Sequence, residues 1–400
     1  MLINTERATA LLNAEGVDGV IASTLENNYY LSGVWVLGQE MFPRDDEFYT
    51  VTTAAAPAAG VIVSSIGEAD LTLAAYPTIR DVVTFGTFFR DTVPGVALDA
   101  DERRILDLTE AHTTGRSSVD AIAEAITKLG LAEAVVAVDE RGPKPTLLAE
   151  LAERFPRATF KPAAALLRRI RAVKTAREIE LLTGALRATE AGFRAAVDLF
   201  AEGVTEREVK AAFDKAVTAE GARPGFCLVR FGKGLALGQV PAGDIPLRPG
   251  DFAFFDIGVD FNGYKSDIGR LVSFGEPSGE TRALFDASKA GQQLAIDLMK
   301  PGAVARDVFN AAVERVREAG IPTYQRQHVG HGIGIEYYDM PVLTPNADTV
   351  LEEGMVFEVE TPYYRLGVGG AFIEDTVVIT GGGTQILTEL DRDLIVVEPR

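Results

Sequence analysis

The chain has one cysteine, one tryptophan and three histidines in 400 residues. The lone thiol, Cys227, excludes a disulfide framework within one chain and fits a reducing compartment. It lies in the apolar run Gly225-Phe226-Cys227-Leu228-Val229, so it reads as core rather than nucleophile. Positive charge is also scarce: 39 Lys and Arg stand against 58 Asp and Glu, a net charge of −19. Such an excess repels phosphates and argues against a nucleic-acid or anionic-membrane partner. No basic N-terminal patch precedes an apolar run, so no signal peptide is expected. No stretch of 18 apolar residues occurs, so no membrane-spanning helix is expected. These absences together point to the cytoplasm.

What is abundant is apolar surface: 47 % of residues are hydrophobic, enough for two cores at this length. The first part alternates helical and strand-like segments. Helices are expected at 5–13, 117–129 and 147–154, and strands at 19–22, 60–63, 81–85 and 134–138. Apolar pieces flank Gly33. This alternation suggests an α/β domain with a mixed or parallel sheet. Near residues 160–172 the texture changes, and long helical tracts follow at 176–200 and 206–220. Glycine-punctuated strands come next, then helices at 280–299 and 305–319, then strands again. The expected division is an α/β domain over 1–165 and an α+β domain over 166–400.

The chemistry concentrates in the second part. In Phe252-Ala253-Phe254-Phe255-Asp256-Ile257-Gly258-Val259-Asp260-Phe261, an apolar strand runs into Asn262-Gly263, a pair suited to a type I′ hairpin turn because both positions need positive φ. A two-residue turn pairs Phe261 with Tyr264. Counting outward then sets Gly258 opposite Asp267, with Asp256 on the same face as Gly258. Two carboxylates on one buried face repel unless a cation holds them. Asp260, beside the turn, reads as a solvated acid. Glu360 and Glu374 lie in two further apolar strands joined by a glycine-rich loop. Between the two units, Gly330-His331-Gly332-Ile333-Gly334 surrounds an imidazole with glycines that permit close approach. Four carboxylates and one imidazole form a hard ligand set, suited to Mn²⁺ first and also to Fe²⁺, Zn²⁺ or Co²⁺. Bridging carboxylates could hold two such ions about 3.5–4 Å apart around an activated water.

This order of residues resembles the pita-bread metallopeptidases, the family of Xaa-Pro aminopeptidases, prolidases and methionine aminopeptidases. The text that carries the resemblance is Asp256, Asp267 eleven positions on, Gly-His-Gly-Ile-Gly around His331, Gly354-Met355-Val356-Phe357 leading to Glu360, and Ile373-Glu374-Asp375-Thr376. It covers about residues 170–400, and the first domain is similar, more weakly, to the creatinase-type N-terminal domain. The resemblance implies that Asp256 binds one ion and that Asp267 and Glu374 bridge two. His331 and Glu360 would complete the other ion, and Glu360 would also move the proton of the bridging water. It implies a homodimer acting on a small molecule or short peptide, with Trp35, Phe42 and Phe48 as candidates to cover the cleft or, more simply, to pack in a core.

The departures concern the substrate. Family peptidases carry a histidine seventeen residues before the first ligand aspartate, where this chain has Gln239, and another seven after the ligand histidine, where it has Tyr338. Proline-specific members often have a histidine four before the ligand histidine and an arginine two before the last glutamate; here these are Gln327 and Phe372. Of the three histidines, His112 falls in the first domain, which leaves His328 beside His331. Glu360, His328 and Tyr338 are therefore the candidate catalytic groups, and Gln239, Gln327 and Phe372 the candidate substrate-binding positions. With the histidines and arginine gone, the pocket is expected to favour less anionic or more apolar substrates than a free Xaa-Pro dipeptide. The alternative is a non-peptidase relative of creatinase, ectoine hydrolase or dimethylsulfoniopropionate lyase acting on a small metabolite.

Overall fold

The computed structural model describes residues 2–75, 78–111 and 115–399, so His112 lies outside the described residues. The chain divides into two compact units, Met1–Arg171 and Ala172–Arg400.

The first unit is built on a six-stranded mixed sheet. Strand Gly19–Ala22 pairs in parallel with Val135–Val138 and antiparallel with Tyr49–Thr53. The strand Ala56–Ser65 runs antiparallel to Tyr49–Thr53 and parallel to Asp81–Phe85, and Thr159–Pro162 adds in parallel at the other edge. Val and Ile of these strands pack against the apolar stripe of helix Ser118–Lys128. The apolar residues before Gly33 belong to the helix Leu25–Ser32, which stops where Gly33 takes the left-handed conformation at φ 75°. Phe48 is fully buried, Trp35 is half-buried with its ring edge-on to Tyr29 at 5.3 Å, and Phe42 is exposed.

In the second unit, helices Ala176–Asp198 and Glu206–Ala219 open with capping boxes, Thr175 with Glu178 and Thr205 with Glu208, which satisfy backbone donors reciprocally. The main sheet places Asp339–Val342, Gly330–Gly332, Val356–Glu360, Glu374–Thr380, Ile268–Phe274, Phe252–Phe261 and Arg223–Phe231 side by side in that order. Strand alternation sorts its side chains. Phe254 and Leu271 join a core with Phe285 and Phe309, from helices Gly279–Leu298 and Ala305–Glu318. Phe255 and Val272 join a core with Phe193 and Phe213, from the two capped helices. A sheet clothed in helices on both faces is α+β, as expected. Among the described residues no helix is long and apolar enough to cross a membrane.

The hairpin forms as its turn chemistry requires. Asn262 and Gly263 have φ 51° and 83°, and Phe261 pairs with Tyr264. On the far side of Ser266-Asp267 the register continues unchanged, with Ile257 opposite Ile268 and Asp256 opposite Gly269. The count that sets Gly258 against Asp267 is thus preserved.

Candidate metal centre

Five adjacent strands bring the acids together. Asp256 is opposite Gly269, Gly269 is opposite Glu374, and Glu374 is opposite Glu360, so one row across four strands reads acid, glycine, acid, acid. Residues directly opposed across strands share a face. Asp267 enters from the residue before strand Ile268–Phe274, and His331 from the strand beyond Glu360. Gly269 makes room in this row for the Phe372 ring: a Cβ there would lie 2.2 Å from it.

Asp267, His331 and Glu374 gather ligand atoms within 4.8 Å of one another, all buried. His331 Nε2 lies 3.9 Å from Asp267 Oδ2 and 4.0 Å from Glu374 Oε1. Its Nδ1 is 3.0 Å from the Gly332 carbonyl, a contact that places the proton on Nδ1 and leaves Nε2 as a ligand. The Tyr338 ring stacks on the imidazole at 3.7 Å. The flanking glycines admit neighbouring backbone rather than ligands: a Cβ on Gly330 would lie 2.3 Å from the Glu358 carbonyl, and one on Gly332 2.7 Å from that of Met340.

The electrostatics are those of a buried anionic cluster. Burial first, and the Glu360 charge second, push Asp256 up to about 7. Glu360 is also pushed up to about 7 by burial, against the pull of Arg326. Asp267 is driven well above the usual carboxylate range by burial and then by Asp256, and Glu374 by burial and then by Asp267. Burial pushes His331 down to about 4, which keeps the imidazole neutral and able to ligate. Asp267 Oδ1 is buried with no hydrogen-bond partner. Neutral imidazole, facing carboxylates and an orphaned buried oxygen are what divalent cations would satisfy, so the residues fit the group.

Beside the cluster opens a cavity of about 560 Å³, lined among others by Asp256, Glu360, Gln239, Gln327, His328, Tyr338, Tyr364 and Arg326. His328 Nδ1 stands 3.2 Å from Glu360 Oε1, off the line of a hydrogen bond, and Tyr338 Oη stands 3.4 Å from His328 Nε2. Burial first, and Arg326 second, push His328 down to about 4.

Two positions differ from expectation. Phe372 is absent from the cavity lining; it is 1 % exposed in the core, tilted against Phe254 at 5.0 Å. An apolar ring finds its lowest free energy there, filling the space Gly269 vacates. Arg326 was not anticipated. Its Nη2 is 3.3 Å from Glu360 Oε2, and it returns to the cavity the fixed positive charge that Phe372 lacks. The part of the expectation that rested on a missing fixed positive charge is thereby weakened, while the neutral Gln239, Gln327 and Tyr338 remain in the lining. The available signal was an arginine in the polar run Gln325-Arg326-Gln327-His328, five residues before a ligand histidine.

Residues 180–381 match the model of metallopeptidase family M24. The chain belongs to this family. It is 34 % identical over 238 residues to the Xaa-Pro dipeptidase of Pyrococcus furiosus, 59 % of this chain and 68 % of that protein. The structure of an Xaa-Pro dipeptidase from Bacillus anthracis superposes with a TM-score of 0.79 at 23 % identity, covering 98 % of this chain and 99 % of the other. Dipeptidase PepE from Mycobacterium ulcerans superposes with a TM-score of 0.76 at 28 % identity, covering 98 % and 97 %. The M24 chain thus has the pita-bread fold, and it is a metal-dependent hydrolase.

Proposed function

We propose that this M24 protein is a dipeptidase that uses two divalent ions, Mn²⁺ foremost, on short peptides including Xaa-Pro, and that it works as a homodimer in the cytoplasm. The observation that carries the reading is the convergence of Asp256, Asp267, His331, Glu360 and Glu374 from adjacent strands beside a cavity of about 560 Å³.

Asp256 and Glu360 line the cavity, Asp267, His331 and Glu374 gather ligand atoms within 4.8 Å of one another, and these five residues would hold the ions. Ions held there would supply Lewis-acid activation of a water and of the scissile carbonyl. The chain's own groups do the rest. Glu360 accepts the water's proton at Oε1. His328 Nδ1 stands 3.2 Å from that oxygen, and the hydroxyl of Tyr338, a half-exposed side chain lining the cavity, donates toward the developing oxyanion or the leaving nitrogen. Gln239 and Gln327 offer amide donors and acceptors to the substrate backbone. Phe372 packs against Phe254 in the core and is not among the residues that line the cavity.

The second reading, hydrolysis of a C–N bond in a small neutral metabolite, is favoured by one observation: Gln239, Gln327 and Tyr338 are neutral where family peptidases carry histidines. A panel of Xaa-Pro dipeptides, longer peptides and small neutral amides, assayed with and without added Mn²⁺, separates the two. Mn²⁺-dependent dipeptide cleavage supports the first reading. Cleavage of neutral amides with no dipeptide turned over supports the second.

A further inference from the structure

Arg326 is the only fixed positive charge in the cavity lining among the described residues; the other charged groups there, Asp256 and Glu360, are acids. A guanidinium offers five N–H donors in a rigid fork matched to a carboxylate. Little of that capacity is used. One long contact reaches Glu360 Oε2 at 3.3 Å, the guanidinium carbon lies 5.9 Å above the Tyr364 ring, and Nε is buried with no hydrogen-bond partner. The side chain is only 11 % exposed, so its unused donors lie within the protein rather than in bulk water. A buried donor left unmade is costly, and a partner arriving with the substrate removes that cost.

The present partner is Glu360, a group with a second claim on it. When its carboxylate is engaged by a cation, less negative charge remains for the guanidinium, and a cation also repels Arg326 directly. A third group that pairs with Arg326 relieves both effects. We propose that Arg326 is a partner-exchanging anchor: it holds Glu360 when the cavity is empty and a substrate's free carboxylate when the cavity is loaded, so that carboxylate binding and ion binding favour each other. This rests on the dipeptidase reading for the substrate's identity. It also narrows that reading, because Arg326 Nη2 lies 3.3 Å from Glu360 Oε2, so a carboxylate paired with Arg326 would sit next to the groups around Glu360. The substrate class is then a dipeptide with a free C-terminal carboxylate rather than an internal peptide or a neutral amide.

Linkage makes the coupling testable without turnover, because the carboxylate must tighten ion binding by the same factor as the ion tightens carboxylate binding. Mn²⁺ is titrated into the full-length protein alone, with L-proline, and with L-prolinamide, for wild type, Arg326→Lys and Arg326→Met. Wild type is expected to bind Mn²⁺ several-fold more tightly with L-proline and no more tightly with L-prolinamide. Arg326→Met should bind Mn²⁺ at least as tightly as wild type without ligand and lose the response to L-proline, while Arg326→Lys should keep part of it. In turnover, Arg326→Met should raise KM for Ala-Pro about tenfold to a hundredfold more than it raises KM for Ala-prolinamide, the loss of a charge-assisted pair. Equal loss on the two substrates, or an L-proline response that survives in Arg326→Met, overturns the proposal. If wild type cleaves neither peptide and the Arg326-dependent L-proline response persists, the dipeptidase reading fails and the anchor stands.

Discussion

Glu360 and Glu374 face each other directly across neighbouring strands, and both are held well up in pKa inside the protein. Like charges opposed in this register destabilise a sheet unless a cation joins them. Divalent ions should therefore stabilise the folded chain by mass action, by about 2.7 kcal/mol at a hundredfold excess over Kd. Glu374→Gln removes one of the opposed charges. Its metal-free midpoint in thermal unfolding should equal or exceed that of the metal-free wild type, and its response to Mn²⁺ should vanish. An undiminished Mn²⁺ shift in Glu374→Gln would place the ion elsewhere.

Tyr338 stacks on His331 and reaches toward His328, so its ring and its hydroxyl do different work. Tyr338→Phe keeps the stacking and removes the donor. It should lower kcat by up to the 10²–10³-fold that a single preorganised donor commonly supplies, with bound metal unchanged. Tyr338→Ala should lose metal affinity as well, because the imidazole is no longer held. Equal metal loss in the two variants, read by elemental analysis, would assign Tyr338 a packing role only.

Arg270 ties the sheet together directly beneath the ligands. Its guanidinium donates to the carbonyls of Gly269 and Glu374 and pairs with Asp375 at 2.6 Å, all buried. Burial opposes ionisation of Asp375, and Arg270 with Arg392 outweighs it, holding that carboxyl below its ordinary range. Arg270→Met leaves a buried charge with one partner fewer. Breaking such a pair costs about 3–5 kcal/mol, and the remaining Arg392 contact at 2.8 Å argues for the lower end. Denaturant unfolding measures this, and a loss below about 1 kcal/mol would contradict it.

How much of this was legible in the sequence depends on local regularity. The Asn262-Gly263 turn fixes its own geometry, so counting outward from it located Asp256 and Asp267 correctly in register. The long amphipathic helices were equally plain, because their apolar period repeats over many turns. Arg326 was not legible: it lies in an irregular stretch before strand Gly330–Gly332, where no period says which way a side chain points. Phe372 sits in a similar break, between Gly369–Ala371 and Glu374–Thr380. Its place in the core depends on Gly269, which is distant in sequence and adjacent in space. Strand Tyr49–Thr53 and helix Ala100–Glu110 also went unread; the helix buries only Ile105, so it carries little apolar signature.

Away from the metal centre, Glu68 in the first unit should give a pH signature. Burial first, and the Asp46 carboxylate second, push Glu68 up to about 7 from its ordinary 4.5. A raised folded pKa means that the folded state binds the proton more tightly, so the associated stability is full below pH 4.5 and is lost as pH rises through 7. Glu68→Gln keeps the shape and removes the titration. Relative to wild type it should be progressively more stable from pH 5 to pH 8. A stability difference that does not change with pH would show that Glu68 ionises freely in the fold.

The account stands most directly on ion content linked to activity. Full-length protein stripped by chelator and dialysed against Mn²⁺ should bind close to two ions per chain by elemental analysis and should cleave Ala-Pro only when loaded. Asp267→Asn should lose both ions together with the activity, because a bridging carboxylate serves both sites. Stripped wild-type protein that stays metal-free in excess Mn²⁺, Co²⁺ and Zn²⁺, or that cleaves Ala-Pro equally well without them, would contradict the account.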